Sequence, residues 1–281
     1  MSDTDKKAPT RRVVLVLGGG GVKGLTHLGA WRAVQEAGLE VVEIVGTSIG
    51  ALVGACIASG APWSELVDRA ARLRRRDIVA LNFPAFFPNG IREPSVFRAT
   101  ALQSFIRASL PVERFDELAI PVSMNAVDLE TGETAWFGAA GRTDVPLADA
   151  VYASCALPVF YPPAQLNGRH YVDGGVVSSL PVERAAAVAA ETQVDYVVAV
   201  DASAGPVKDP LDTIEKGLVA IHHRVFDIMA GEIRKRQLAA WNGPPLIRVR
   251  PRLDGYSTFD FASTRYFVEE GYRATRQALA N

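Results

Sequence analysis

Disulfide partners and imidazoles are scarce in this chain: its 281 residues include two cysteines and four histidines. Cys56 and Cys155 both lie inside apolar stretches, which reads as two small buried thiols in a reducing compartment rather than a disulfide or a metal site. An excess of charge is missing too. Thirty Lys and Arg stand against thirty-one Asp and Glu, a net charge of -1, so the balance makes no case for nucleic acid or a strongly anionic surface. Long apolar runs are absent as well. The uncharged run IGALVGACIA stops at ten residues, where a membrane-spanning helix needs about 20. Arg11 and Arg12 precede only five apolar residues and no small-residue cleavage site, which excludes a twin-arginine export signal. These absences lead to the expectation of a soluble cytoplasmic protein whose residues 1–12 form a disordered leader.

What is present is a large apolar fraction, 48%, enough for a sizeable core. Val13 to Leu17 is a short continuous apolar run of the kind a strand buried on both faces shows. Leu25, Leu28, Trp31, Arg32 and Gln35 follow with helical spacing up to Gly38, then VVEIV (Val41 to Val45) leads into a second apolar helix ending at Gly60. A βαβα opening predicts a mainly parallel central sheet covered by helices on both faces, an α/β three-layer sandwich. Further strands are expected at Ile120 to Asp128, Arg169 to Asp173, Asp195 to Asp201 and Pro245 to Arg250. Helices are expected over Pro62 to Arg76, Ser95 to Ala108, Val182 to Ala190 and Ser263 to Ala280. A long helix between Pro210 and Trp241 shows Leu211, Ile214, Leu218, Ile221, Val225 and Ile228 three and four apart, which reads as a core-packing face. The stretch Leu81 to Pro94 is irregular and rich in Phe and Pro. Its Phe83, Phe86 and Phe87 are either buried or an interfacial lid, and the arginines at 72, 74, 75 and 76 form either a solvated helix face or a contact for anionic headgroups.

Three short motifs carry chemistry. GTSIG, Gly46 to Gly50, places Ser48 between a strand and a helix with a glycine two residues away on each side. A sharp strand-to-helix turn would force Ser48 into strained dihedrals and present its hydroxyl as a nucleophile; an ordinary helix N-cap is the alternative. GGGGVKG, Gly18 to Gly24, follows the first strand and aims free backbone N–H groups at something negative, a phosphate or an oxyanion. YVDGG delivers Asp173 from a strand into Gly174 and Gly175, an arrangement that a plain turn would also explain. Strand alternation puts Tyr171 and Asp173 on one face and His170 on the other. His27, His170, His222 and His223 have no local motif that makes any of them a base.

Other readings of the glycines fail on residues. A dinucleotide fold wants an acid at the end of the second strand, which here ends in Gly46, Thr47 and Ser48. A triphosphate loop wants Lys followed by Ser or Thr, and Lys23 is followed by Gly24. In their order GGGVKG, GTSIG and DGG, with ASCALPVFYPP (Ala153 to Pro163) before the last, the chain resembles the patatin-like phospholipase family over residues 13–202. The resemblance implies a serine lipid acyl hydrolase of phospholipase A, lysophospholipase or esterase type. It implies Ser48 as nucleophile, Asp173 as direct general base, and backbone N–H groups of Gly19, Gly20 and Gly21 as oxyanion hole. Gly24, Gly46, Gly50, Gly174 and Gly175 support the motifs, and Lys23, where the family carries a basic residue, either orients the loop or touches substrate. It implies a lipid or acyl-ester substrate, peripheral membrane contact and neither metal nor organic cofactor. Residues 203–281 are expected to be a helical and strand extension packed on the same domain. Two rival functions remain: an α/β-hydrolase-like triad with His222 or His223 as base, and a binding protein on the same shell.

Overall fold

The computed structural model describes residues 10–88, 90–203 and 210–281. Residues 1–9 of the expected leader, residue 89 and residues 204–209 lie outside the described residues. Eight strands form one sheet in the order β5-β6-β3-β2-β1-β7-β8, with β4 also paired to β3. Strand β1 (Arg12–Leu17) is central, flanked in parallel by β2 (Glu40–Thr47) and β7 (Tyr196–Val200). Its residues Val13 to Leu17 are fully buried, which is why the run is apolar without alternation. Strands β3 (Val122–Asp128) and β8 (Leu246–Val249) extend the parallel part, while β4 (Thr134–Gly138), β5 (Ala164–Leu166) and β6 (Arg169–Asp173) are antiparallel.

Helices cover both faces. On one side α1 (Thr26–Glu36), α2 (Ile49–Ala58), α3 (Trp63–Arg72), α4 (Arg75–Ile78), α5 (Ala99–Ser109) and α6 (Leu147–Cys155) gather over the larger core cluster. On the other, α7 (Val182–Glu191) buries Val182, Ala185 and Val188 against Val14, Val16, Val197 and Ala199. The three-layer α/β expectation therefore holds. The six expected strands are present, and β4, β5 and α6 are additions. The helix expected over Pro62 to Arg76 is divided by Leu73, a buried residue in extended backbone at the end of α3.

The long C-terminal helix differs most from expectation. It is broken at Gly217 (φ 81°) into α8 (Pro210–Glu215) and α9 (Leu218–Ala239). Its apolar face does not pack in the core: Leu211, Ile214, Leu218, Ile221, Val225 and Ile228 are exposed, Leu218 to 82%. The inward face carries His223, Phe226, Asp227, Ala230 and Arg234 instead. Spacing reveals that a helix has an apolar side, not which side meets the sheet. Phe83, Phe86 and Phe87 are exposed as well, at 64%, 62% and 68%. Among the described residues no helix is long and apolar enough to cross a membrane.

The last helix, α10 (Thr264–Ala280), lies against α1 at a crossing with a glycine on each helix. A Cβ on Gly29 would sit inside contact distance of the Val268 carbonyl, and one on Gly271 inside that of Thr26.

Candidate active site

Ser48 occupies the single residue between β2 and α2, at φ 56° and ψ −124°. A side chain there is strained by about 1–3 kcal/mol and persists because both flanking elements are fixed. The glycines of GTSIG let those elements approach. A Cβ on Gly46 would lie 2.6 Å from the Ala51 nitrogen, and one on Gly50 would run into the Leu17 carbonyl. The Ser48 N–H donates to Ser154 Oγ of α6 at 2.9 Å, so the turn is held from a third element.

Asp173 ends β6 and is 2% exposed. One carboxylate oxygen accepts the Gly175 N–H at 2.7 Å, and Ser48 lines the same cleft beside the carboxylate. Burial raises its pKa to about 6, although Ser48 and the Gly175 N–H favour the charged form and act the other way. A carboxylate so placed is a better base than an exposed one.

Sheet register explains how residues 125 positions apart in sequence meet, counted as 173 minus 48. β4 occupies one edge of β3 over Ser123–Val127. β2 pairs with β3 up to Thr47↔Asn125, and β6 pairs from Asp173↔Ala126 onward, so both must share the other edge. Two strands running in opposite directions thus end head to head on neighbouring residues of β3. The serine follows the last residue of one strand and the aspartate is the last residue of the other.

The glycine loop lies alongside, with the position of a Gly19 Cβ 3.5 Å from Ser48 Cβ. Its amides have different uses. Gly18 N–H donates to Val200 O at 3.0 Å, Gly19 N–H to Ser179 O at 2.8 Å and Val22 N–H to Thr258 O at 2.8 Å. Gly19, expected as an oxyanion donor, therefore anchors the loop. Among the described residues, the N–H groups of Gly20 and Gly21 have no hydrogen-bond partner. Side chains at either position would strike Ala202 or Thr258, so only glycine fits the path. Gly24 makes room for Ile49, the neighbour of Ser48.

Lys23 is buried in the wall of the same cleft. Burial pushes its ammonium down, opposed by the charges of Asp227, Asp201 and Asp254. The cleft has about 1080 Å³ of empty space including its mouth. Leu25, Leu52, Leu73, Leu102 and Phe105 make an apolar part, and His223, Asp227 and Arg234 of α9 contribute polar groups. Cys155 also lines it, its thiol held well above the usual range by burial.

The histidines have other partners. His27 is buried against Gly18 O at 2.8 Å, and burial lowers its pKa to about 4. His170 is near Glu130, at 3.7 Å, and His222 is exposed. His223 reaches the cleft, but its Nε2 pairs with Thr258 Oγ1 at 2.9 Å. Ser154, Thr47, Asn125, Ser178 and Ser179 all hold the site from behind, and none stood out in the sequence except Thr47, as the unread second letter of GTSIG.

Comparison with known proteins fits this geometry. The family model described as patatin-like phospholipase matches residues 15–186. An uncharacterized NTE family protein of Mycobacterium bovis is 34% identical over 226 residues, 78% of this chain and 59% of that protein. Lysophospholipase NTE1 of Meyerozyma guilliermondii is 26% identical, covering 92% of this chain and 19% of its own. The chain thus spans less than two thirds of the length of these curated relatives. Among solved structures, VipD from Legionella pneumophila has a TM-score of 0.53 at 16% identity, covering 96% of this chain and 67% of VipD, a likeness of fold. The matched span runs from the strand before the glycine loop to the helix after Asp173, more than half of the sequence, and the chain belongs to the patatin-like phospholipase family.

Proposed function

We propose that the protein is a serine acyl hydrolase acting on lipid carboxylic esters, with Ser48 as nucleophile and Asp173 as its direct base. The observation that carries this reading is that a strained, turn-held serine and a buried aspartate line one cleft at the facing ends of two strands. Ser48 Oγ attacks the ester carbonyl carbon as its proton passes to Asp173. The carbonyl oxygen becomes an oxyanion facing the N–H groups of Gly20 and Gly21. Loss of one such donor costs about 3–4 kcal/mol of transition-state stabilisation. Collapse expels the alcohol, which takes the proton from Asp173 and leaves an acyl-serine. Water then attacks the acyl carbon while Asp173 takes its proton, the second collapse frees the acid, and the proton returns to Ser48. The apolar part of the cleft would take the acyl chain.

Lysophospholipids are the first natural substrates to test, because a relative bears the name lysophospholipase. Access to lipid would come through peripheral contact with a membrane. The exposed Phe83, Phe86 and Phe87 and the apolar outer face of α8 and α9 support that contact.

The test is hydrolysis of a medium-chain p-nitrophenyl ester, lysophospholipids and mixed phospholipids by wild type, Ser48→Ala, Asp173→Asn and the double variant His222→Ala/His223→Ala, each checked for folding. Activity is expected to vanish in the two dyad variants and to survive in the double histidine variant. A dead histidine variant would favour the triad. An inert wild type would favour a binding protein.

A further inference from the structure

Behind the dyad lies a buried polar junction that the mechanism does not use. Asn125 stands on the edge of β3 where β2 and β6 end head to head, and it has no exposed surface. Its Oδ1 accepts the Thr47 hydroxyl at 2.8 Å, a proton shared with Ser178 O at 3.0 Å. Its Nδ2 donates to Ser178 O at 3.1 Å and to Gly174 O at 3.3 Å. Two carbonyls can only accept, so the amide orientation is fixed by its neighbours. Thr47 precedes the nucleophile and Gly174 follows the base. Gly174 is glycine because a Cβ there would strike the Asn125 amide.

We propose that Asn125 is a positioning residue for the dyad, one amide that fixes the Ser48 turn through Thr47 and the Asp173 turn through the carbonyls of Gly174 and Ser178. The inference rests on the Ser48 and Asp173 reading above. A carboxamide suits the place because it has an acceptor at one end and a donor at the other. A carboxylate there would oppose two carbonyl oxygens, and an aliphatic side chain would leave the buried Thr47 hydroxyl and both carbonyls poorer in partners. The same segment reaches the glycine loop, since Ser179 O holds the Gly19 N–H. Nucleophile, base and loop are thereby referred to one point.

The consequence is measurable because Ser48 lowers the pKa of Asp173 against the effect of burial. If the junction loosens, Ser48 shifts away from the carboxylate and the Asp173 pKa rises above about 6. Other titratable groups lining the cleft with Asp173 are the Cys155 thiol of α6, the Tyr161 phenol, Lys23 of the glycine loop, and His223, Asp227 and Arg234 of α9, and none of them is altered by the variants below.

The experiment compares Thr47→Val, Thr47→Ser and Asn125→Ala in the full chain. It measures kcat and KM on a soluble ester, the pH profile of kcat/KM, and the ¹³C titration of the Asp173 carboxyl, assigned through Asp173→Asn. The expected result for Thr47→Val and Asn125→Ala is a kcat lower by about tenfold or more, with KM changed less than about twofold. Their acid limb and carboxyl titration move to higher pH, and Thr47→Ser restores both. A lower melting temperature with wild-type kcat and an unmoved titration would overturn the positioning role and leave the dyad standing. Should Asn125→Ala not fold, the nearly isosteric Thr47→Val decides. If wild type hydrolyses no ester, the dyad reading falls. The Asp173 titration in Thr47→Val then decides alone, a shift supporting the role of Asn125 and no shift overturning it.

Discussion

Asp173 is costly to the fold and, in the proposed dyad, useful to the reaction. Its pKa rises from 3.8 to about 6 on burial, so the folded chain holds this proton more tightly than the unfolded one. The group therefore adds nothing unfavourable below about pH 4, and its ionisation progressively costs stability up to about pH 7. That difference in pKa corresponds to about 3 kcal/mol. Asp173→Asn is accordingly expected to resist urea better than wild type at pH 8 and to lose that advantage at pH 4. In wild type kcat/KM is expected to fall as pH drops through about 6, because only the carboxylate accepts the serine proton. A profile flat between pH 5 and 8 would remove Asp173 as the base. Ser48 makes a second residue-scale case. At φ 56° its side chain is strained, so Ser48→Gly should be more stable than Ser48→Ala by about 1–2 kcal/mol in urea melts, both variants being inactive.

At the scale of elements, the chain announces what is buried and continuous and hides what is short or inverted. β1, β2 and the elbow could be read because a doubly covered strand must be apolar throughout and a strand-to-helix turn needs small neighbours. β5 has three residues and β4 opens with an exposed Thr134, so neither gives a run long enough to register. Helix α9 was legible as a helix but not in orientation. Its inward side carries charge because Arg234 meets Asp201 at 3.2 Å and Ser179 Oγ at 3.1 Å, while its apolar side is left outside. The motif residues could be named from the sequence, whereas the amides that stay free could not. Only the three-dimensional path shows that Gly19 is tied to Ser179 while, among the described residues, Gly20 and Gly21 are open. The outer face of α9 yields its own prediction. Replacing Ile221, Val225 and Ile228 by serine removes exposed apolar surface without touching the cleft. Hydrolysis of a soluble ester should stay within about twofold, while sedimentation with phosphatidylcholine–phosphatidylglycerol vesicles should fall by about tenfold or more, since each buried methylene contributes about 0.8 kcal/mol. Unchanged sedimentation would take α9 out of the lipid contact.

At the scale of the whole molecule, the C-terminal third cannot be separated from the site. β8 pairs with β7 next to the central strand, and Thr258 accepts the Val22 N–H at 2.8 Å just beyond the open amides of the glycine loop. Helix α10 buries Phe267, Val268 and Ala274 and crosses α1 at Gly29 and Gly271. Since α1 begins at Thr26, directly after that loop, any widening of the crossing is passed to the residues that flank Ser48. Gly271→Ala adds one methyl where the Thr26 carbonyl already fills the space, and backbone on both sides leaves no flexible side chain to yield. Overpacking of this kind costs about 1–3 kcal/mol. The variant should therefore unfold at lower urea, and its loss of esterase activity with urea should follow the loss of ellipticity, as expected when one cooperative unit contains both core and site. Activity lost well before ellipticity would mean instead that α10 and the glycine loop open locally while the sheet stays folded.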